Sequence, residues 1–194
     1  MPRDRGSGAA LAAAMALALA LLFAAAGCGG ENGDGGEVAR YPLEIYYANG
    51  AYIAGGLSES RLAGPIKSSL SMSGPDGNPY LALVDEVLRE APPDDLPDGS
   101  ATMVDDGIGF RGVRVEDGTA YVDISSEGPD GKPLSGGSME EDLLILQISL
   151  SLIDSFDEVK RVQFLVDGEV RESLMGHMDA SEPFDRESFE GYGL

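Results

Sequence analysis

Several stretches carry residue types that could do chemistry. Gly107-Ile-Gly-Phe-Arg-Gly112 spells the dinucleotide fingerprint G-x-G-x-x-G. That motif works only where a helix follows, because the helix N-terminus holds the pyrophosphate. Here a strand pattern follows, so the glycines read as a turn between strands. Asp94, Asp98 and Asp105 fall at calcium-loop offsets around Gly99. Leu96 occupies a ligand position, however, and the last ligand is Asp rather than Glu. Asp130-Gly131 fails likewise, with Ser126 and Gly128 where carboxylates or amides are usual. His177, with Asp179 two residues on, would need a positioned serine, and no G-x-S-x-G is present. It reads as a surface histidine making a local hydrogen bond. One His and one Cys leave no zinc site. Two carboxylates held several ångströms apart can cleave glycans, and 34 Asp and Glu offer many pairs. The sugar-stacking Trp is absent, so a glycosidase stays the weaker reading. We therefore expect no catalytic residues, no cofactor and no metal site.

Cys28 is the remaining reactive residue and the only cysteine. Arg3 and Arg5 precede an unbroken apolar run from Ala9 to Ala26, and Ala25-Ala26-Gly27 lead directly to Cys28. This resembles a bacterial lipoprotein signal, whose cysteine is acylated and becomes the first residue. Ala25 stands where Leu is usual. The alternatives are an uncleaved membrane anchor and an ordinary secretory signal. Residues 1–28 are thus read as the signal, which places the protein on the extracytoplasmic face of the cell membrane through a lipid at Cys28. No thiol is left for a disulfide, so the fold must rest on its core.

The elements that must position everything else centre on Ser138 to Val166. Ser138 and Glu141 have capping-box spacing, and Glu140, Glu141 and Asp142 suit the first turn of a helix. Ile145, Ile148, Leu152 and Phe156 make one apolar stripe, which Leu146, Leu150 and Ile153 widen beyond a surface helix's normal face. Such a helix needs cover on most sides. Arg161 to Val166 follows as a strand and stops at Asp167-Gly168.

Before it, residues 29–40 form a flexible acidic linker spanning on the order of 20 Å. Tyr41 to Ala48 alternates, and Asn49-Gly50 predicts a two-residue hairpin pairing Tyr47 with Tyr52 and Ile45 with Ala54. Residues 64–77 read as irregular. Asn78-Pro79 predicts a helix start, and Pro92-Pro93 forbids continuation. A short strand is expected near Ala101 to Val104. Asp117-Gly118 predicts a second hairpin pairing Val115 with Ala120 and Val113 with Val122, with Arg114 and Tyr121 together on the other face. Residues 174–194 read as an acidic, draped tail. The order is β-β-α-β-β-β-α-β: an α/β (α+β) domain over residues 41–173, a small mixed sheet with two helices packed on it.

Charge bounds the partners. Thirteen Lys and Arg face 34 Asp and Glu, a net charge of −21. Phosphate binding needs a basic face, so no nucleic acid is expected. The acidity reads first as solubility, and second as binding of cations or basic partners.

The ordered set of segments resembles a known family. It comprises Asn78-Pro-Tyr-Leu-Ala-Leu-Val-Asp-Glu-Val-Leu88, Leu96-Pro-Asp-Gly-Ser100, Glu116-Asp-Gly-Thr-Ala-Tyr-Val-Asp-Ile124 and Glu158-Val-Lys-Arg-Val-Gln-Phe-Leu-Val-Asp-Gly168. Together these are similar to the GerMN sporulation/germination domain of spore and envelope lipoproteins. Gly176-His-Met-Asp-Ala-Ser-Glu-Pro-Phe-Asp-Arg186 resembles the segment that often follows the domain. The family's spore protein has two such domains in tandem; this chain has room for one. The resemblance implies a non-catalytic module docking to an envelope protein or to peptidoglycan; a sheet edge, which accepts added strands, is the physical candidate for a protein contact. A cell-wall hydrolase or an activator of one, and a structural spacer, are the alternatives.

Overall fold

The computed structural model describes residues 38–55, 60–73 and 77–192. Cys28, the signal and most of the linker lie outside them.

The expected central helix is α3, Ser138–Ser155. It buries every residue from Glu141 to Leu152. Its start differs from the Ser138–Glu141 box by one position. Gly137 is the cap, and its N–H donates to Glu140 Oε2 at 2.6 Å. Glu141 is unavailable for capping because its carboxylate is engaged elsewhere in the core. The helix stops where Phe156 turns extended and inserts its ring beside Tyr80, at 4.6 Å between centroids.

Two sheets cover this helix where one was expected. Strands β1 (Val38–Ala48) and β2 (Leu62–Ser73) form an antiparallel pair. Strands β3 (Phe110–Glu116), β4 (Thr119–Ile124), β5 (Arg161–Val166) and β6 (Phe184–Asp185) form a mixed sheet in that order. The overall class remains α+β. Strand β4 runs parallel to β5, aligning Ala120, Val122 and Ile124 with Val162, Phe164 and Val166. All six are buried, and α3 is the crossover between the two strands. Each such apolar side chain contributes about 1.5–3 kcal/mol by leaving water.

The Asp117-Gly118 hairpin forms in the expected register, Val115 opposite Ala120 and Val113 opposite Val122. Asp117 and Gly118 adopt φ of 48° and 77°, the left-handed pair that a type I′ turn requires. Arg114 lies over the Tyr121 ring at 3.9 Å. Helix α2 (Pro79–Asp85) starts as read, with Asn78 Oδ1 accepting from Leu81 N–H at 3.0 Å.

The Asn49-Gly50 hairpin does not form. Asn49 instead caps a one-turn helix α1 (Gly50–Ile53), accepting from Ala51 N–H at 3.0 Å. Gly50 is packed against a distant backbone: a Cβ there would lie 2.0 Å from the Asp98 carbonyl oxygen. Its glycine serves close approach rather than a turn. Tyr47 consequently faces Ala63 and Ile45 faces Ile66. The irregular stretch expected from residue 64 is mostly β2. The strand expected at 101–104 reduces to one bridge, Ala48 with Ala101. Val38 to Arg40, expected in the linker, already pair with Ser73 to Ser71.

The C-terminal segment is packed rather than draped. Leu174, Ala180 and Phe189 are buried. Phe184 and Asp185 pair with Val162 and Arg161, and Phe184 stacks on Phe189 at 5.8 Å.

Candidate functional site

Three places on this frame merit examination: a cleft, a strand edge and a buried carboxylate.

The cleft holds about 260 Å³ and lies between the loops carrying Asp105 and Asp130 and the first turn of α3 with Glu140. These are the cleft carboxylates on which glycan cleavage would draw. Each is already engaged. Asp105 Oδ1 accepts from Gly107 N–H at 2.8 Å. Asp130 accepts from Lys132 N–H at 3.0 Å and pairs with Lys132 Nζ at 2.6 Å. Glu140 is held by Gly137. A general acid must keep its proton near neutrality, which takes a raised pKa. Asp130 moves the other way, held below the usual carboxylate range by its hydrogen bonds from Lys132.

The carboxyl that is pushed up is Asp142, raised by burial and opposed by Arg61. It does not line the cleft; it forms an ion pair with Arg61, whose guanidinium lies 3.8 Å over the Tyr192 ring. The cleft therefore resembles a set of pinned loops more than an acid–base pair. Among the described residues no group of three or more His, Cys, Asp or Glu could hold a metal ion. Gly107 to Gly112 leads into β3 and not a helix, as its context implied. His177 Nε2 lies 3.1 Å from the Gly136 carbonyl, and Asp179 accepts from Ser181 instead, so no Ser-His-Asp set forms.

The strand edge belongs to β2. Glu44 and Tyr46 of β1 donate their N–H groups away from β2, to the hydroxyls of Ser155 and Ser151 on α3, at 2.9 and 3.1 Å. Antiparallel alternation then fixes the other side. Lys67, Ser69 and Ser71, opposite Glu44, Pro42 and Arg40, turn their own N–H and C=O groups outward. All three are exposed. Among the described residues, no hydrogen bond from outside the β1–β2 pair reaches them.

The buried carboxylate is Glu141, which sequence reading took for a cap. Its Oε1 accepts from the N–H groups of Leu174 and Met175, both at 2.9 Å. Its Oε2 accepts from His177 and Met178, at 2.8 and 3.2 Å. Four donors on one fully buried carboxylate satisfy the whole group and tie the C-terminal segment to the helix. The usable signal was two acids, Glu141 and Asp142, placed immediately before a run too apolar to have a wet face.

Among the described residues no helix is long and apolar enough to cross a membrane. A family model described as Germane, sporulation and spore germination, matches residues 44–172. No curated protein matches the chain. A candidate lipoprotein from Clostridium perfringens is 16% identical over 76% of this chain and 89% of that one, with a TM-score of 0.45. The tandem GerMN domains of the sporulation protein GerM from Bacillus subtilis are 18% identical over 83% of this chain, with a TM-score of 0.49. This chain covers 49% of that tandem protein. The first GerMN domain alone is 16% identical over 75% of this chain and 98% of that one, with a TM-score of 0.46.

Two outcomes follow from this geometry. Glu141→Ala leaves four amides of the 174–178 turn without their acceptor, and lowers stability by about 3 kcal/mol in urea unfolding. Hydrogen exchange at Leu174, Met175, His177 and Met178 accelerates in step; unchanged protection there would show that the carboxylate is not the anchor. Tyr46 and Tyr80 are pushed up to about 12, chiefly by burial and then by hydrogen bonds to Asp154 and Glu158. Their protons are held more tightly in the folded state, so this stabilisation is complete below pH 10 and lost as pH rises towards 12. Burial, and then Glu90, raises Tyr47 as well, so phenolate absorbance will show three late-titrating tyrosines that join the rest on unfolding.

Proposed function

Because the chain belongs to the Germane family of sporulation and spore germination, matched over residues 44–172, we propose that it is a non-catalytic docking module of the cell envelope. In this reading residues 1–28 are a lipoprotein signal and Cys28 carries the lipid. Residues 29–40 tether the domain off the extracytoplasmic face of the membrane. The partner is another envelope protein or peptidoglycan.

The observation that carries the reading is the outward backbone of Lys67, Ser69 and Ser71 on β2. An open edge accepts an added strand through main-chain hydrogen bonds, and alternate side chains supply selectivity. Lys67 on that edge discourages indiscriminate pairing while leaving the backbone accessible. The competing reading, a peptidoglycan hydrolase or its activator, draws on the carboxylate-lined cleft. The engagement of Asp105, Asp130 and Glu140 by neighbouring groups counts against it.

Cys28→Ser is expected to move the protein from the membrane fraction to the soluble one; retention would favour an uncleaved anchor. Immobilised protein is expected to hold back an envelope protein from a detergent extract, or purified peptidoglycan. Ser69→Pro removes an outward N–H without touching the β1 ladder, and should weaken capture of a protein partner roughly tenfold at unchanged melting temperature. Capture of neither class by the unmodified protein would sink the docking reading.

A further inference from the structure

A second surface lies where the β1–β2 pair passes the end of α3. Helix α3 covers β1 only as far as Glu44, because the helix ends at Ser155. Beyond that point an open groove of about 510 Å³ runs between the strands and the turn leading to β5. Tyr41, Pro42 and Leu43 line it from β1, and the Tyr41 ring packs on that of the buried Phe156, 6.3 Å between centroids. The lining exposes more apolar than polar surface.

The rim is mostly negative. Glu44, Asp154, Asp157 and Glu158 line the groove against a single cation, Lys67. They stand around the C-terminus of α3, where the helix dipole is negative and cations are the stabilising choice. The last turn of α3 nevertheless contains no basic residue. Asp154 is engaged by Tyr46 and Arg186, and Glu158 by the Tyr80 hydroxyl. Among the described residues the side chains of Glu44 and Asp157 make no hydrogen bond or ion pair. The fold thus gathers negative charge beside an aromatic wall and leaves part of it unneutralised.

We propose that this groove docks an extended peptide segment bearing at least two Lys or Arg residues. The pairing is specific in form. A Lys or Arg stem lies along an aromatic or proline surface while its charged head stays at the wet rim. A guanidinium or ammonium over a Tyr face gains a further cation–π attraction. The carboxylates and the helix C-terminus complete the field. This surface shares Lys67 with the β2 edge but binds differently: a ligand held here contacts side chains, whereas one at β2 pairs with backbone.

The test uses the full chain in detergent micelles and a fluorescein-labelled peptide, Gly-Arg-Gly-Arg-Gly-Arg, read by anisotropy. The peptide binds and weakens with added salt. The double variant Glu44→Gln, Asp157→Asn reduces affinity roughly tenfold. A control of equal charge change, Asp94→Asn with Asp95→Asn in an exposed loop, changes it less than twofold. Equal losses in both variants would mean that only the overall charge is sensed, and would overturn the proposal. So would absence of binding by the unmodified chain.

Discussion

A helix that hides every residue from Glu141 to Leu152 has no face to give to water. One sheet covers only one side of such a rod, so the chain must supply cover from several directions. The order of elements follows from that requirement. Strands β4 and β5 flank the helix in sequence and lie beside each other in parallel. The β1–β2 pair closes a second side through the serine hydroxyls of α3. The C-terminal segment closes what remains, and it is held there by a charge as well as by apolar packing.

That charge is the less expected half of the design. Two neighbouring acids enter the core at the same helical turn and are treated differently. Glu141 receives four backbone donors and is fully satisfied. Asp142 has Arg61 for one oxygen, while the other is buried with no partner among the described residues. Its burial raises its pKa despite the guanidinium. A fully bonded carboxylate fixes the geometry of the segment it binds, whereas a half-bonded one is a local cost that the surrounding apolar burial offsets.

The parts of this fold legible in sequence are those in which local chemistry and pattern agree. Asp117-Gly118 is read correctly because the turn demands left-handed backbone and the flanking alternation demands the same register. Asn78-Pro79 is read correctly because cap and first-turn proline act within four residues. Asn49-Gly50 carries an equally strong local signal and misleads, because the need for its glycine is set by Asp98 to Ser100, nearly fifty residues away. Glu141 misleads for the same reason: its partners start at Leu174. The strand in 62–73 is hidden by serines that need no apolar partner on an exposed edge. Candidate surfaces fare likewise, since the groove at Tyr41 and Phe156 exists only once β1 and the end of α3 meet.

The serine hydroxyls of Ser151 and Ser155 make α3 a surrogate neighbour for β1, taking the N–H groups that another strand would take. On the second sheet, Asn78 donates to the Val113 carbonyl of β3, and β6 sits on β5. The β1–β2 ribbon is therefore asymmetric: along the stretch that α3 lines, it can lengthen sideways only through β2. Along that stretch, strand addition at β2 ends after a single event or pairs two copies edge to edge. Where many copies meet, that one-sidedness is a safeguard against runaway association along this stretch.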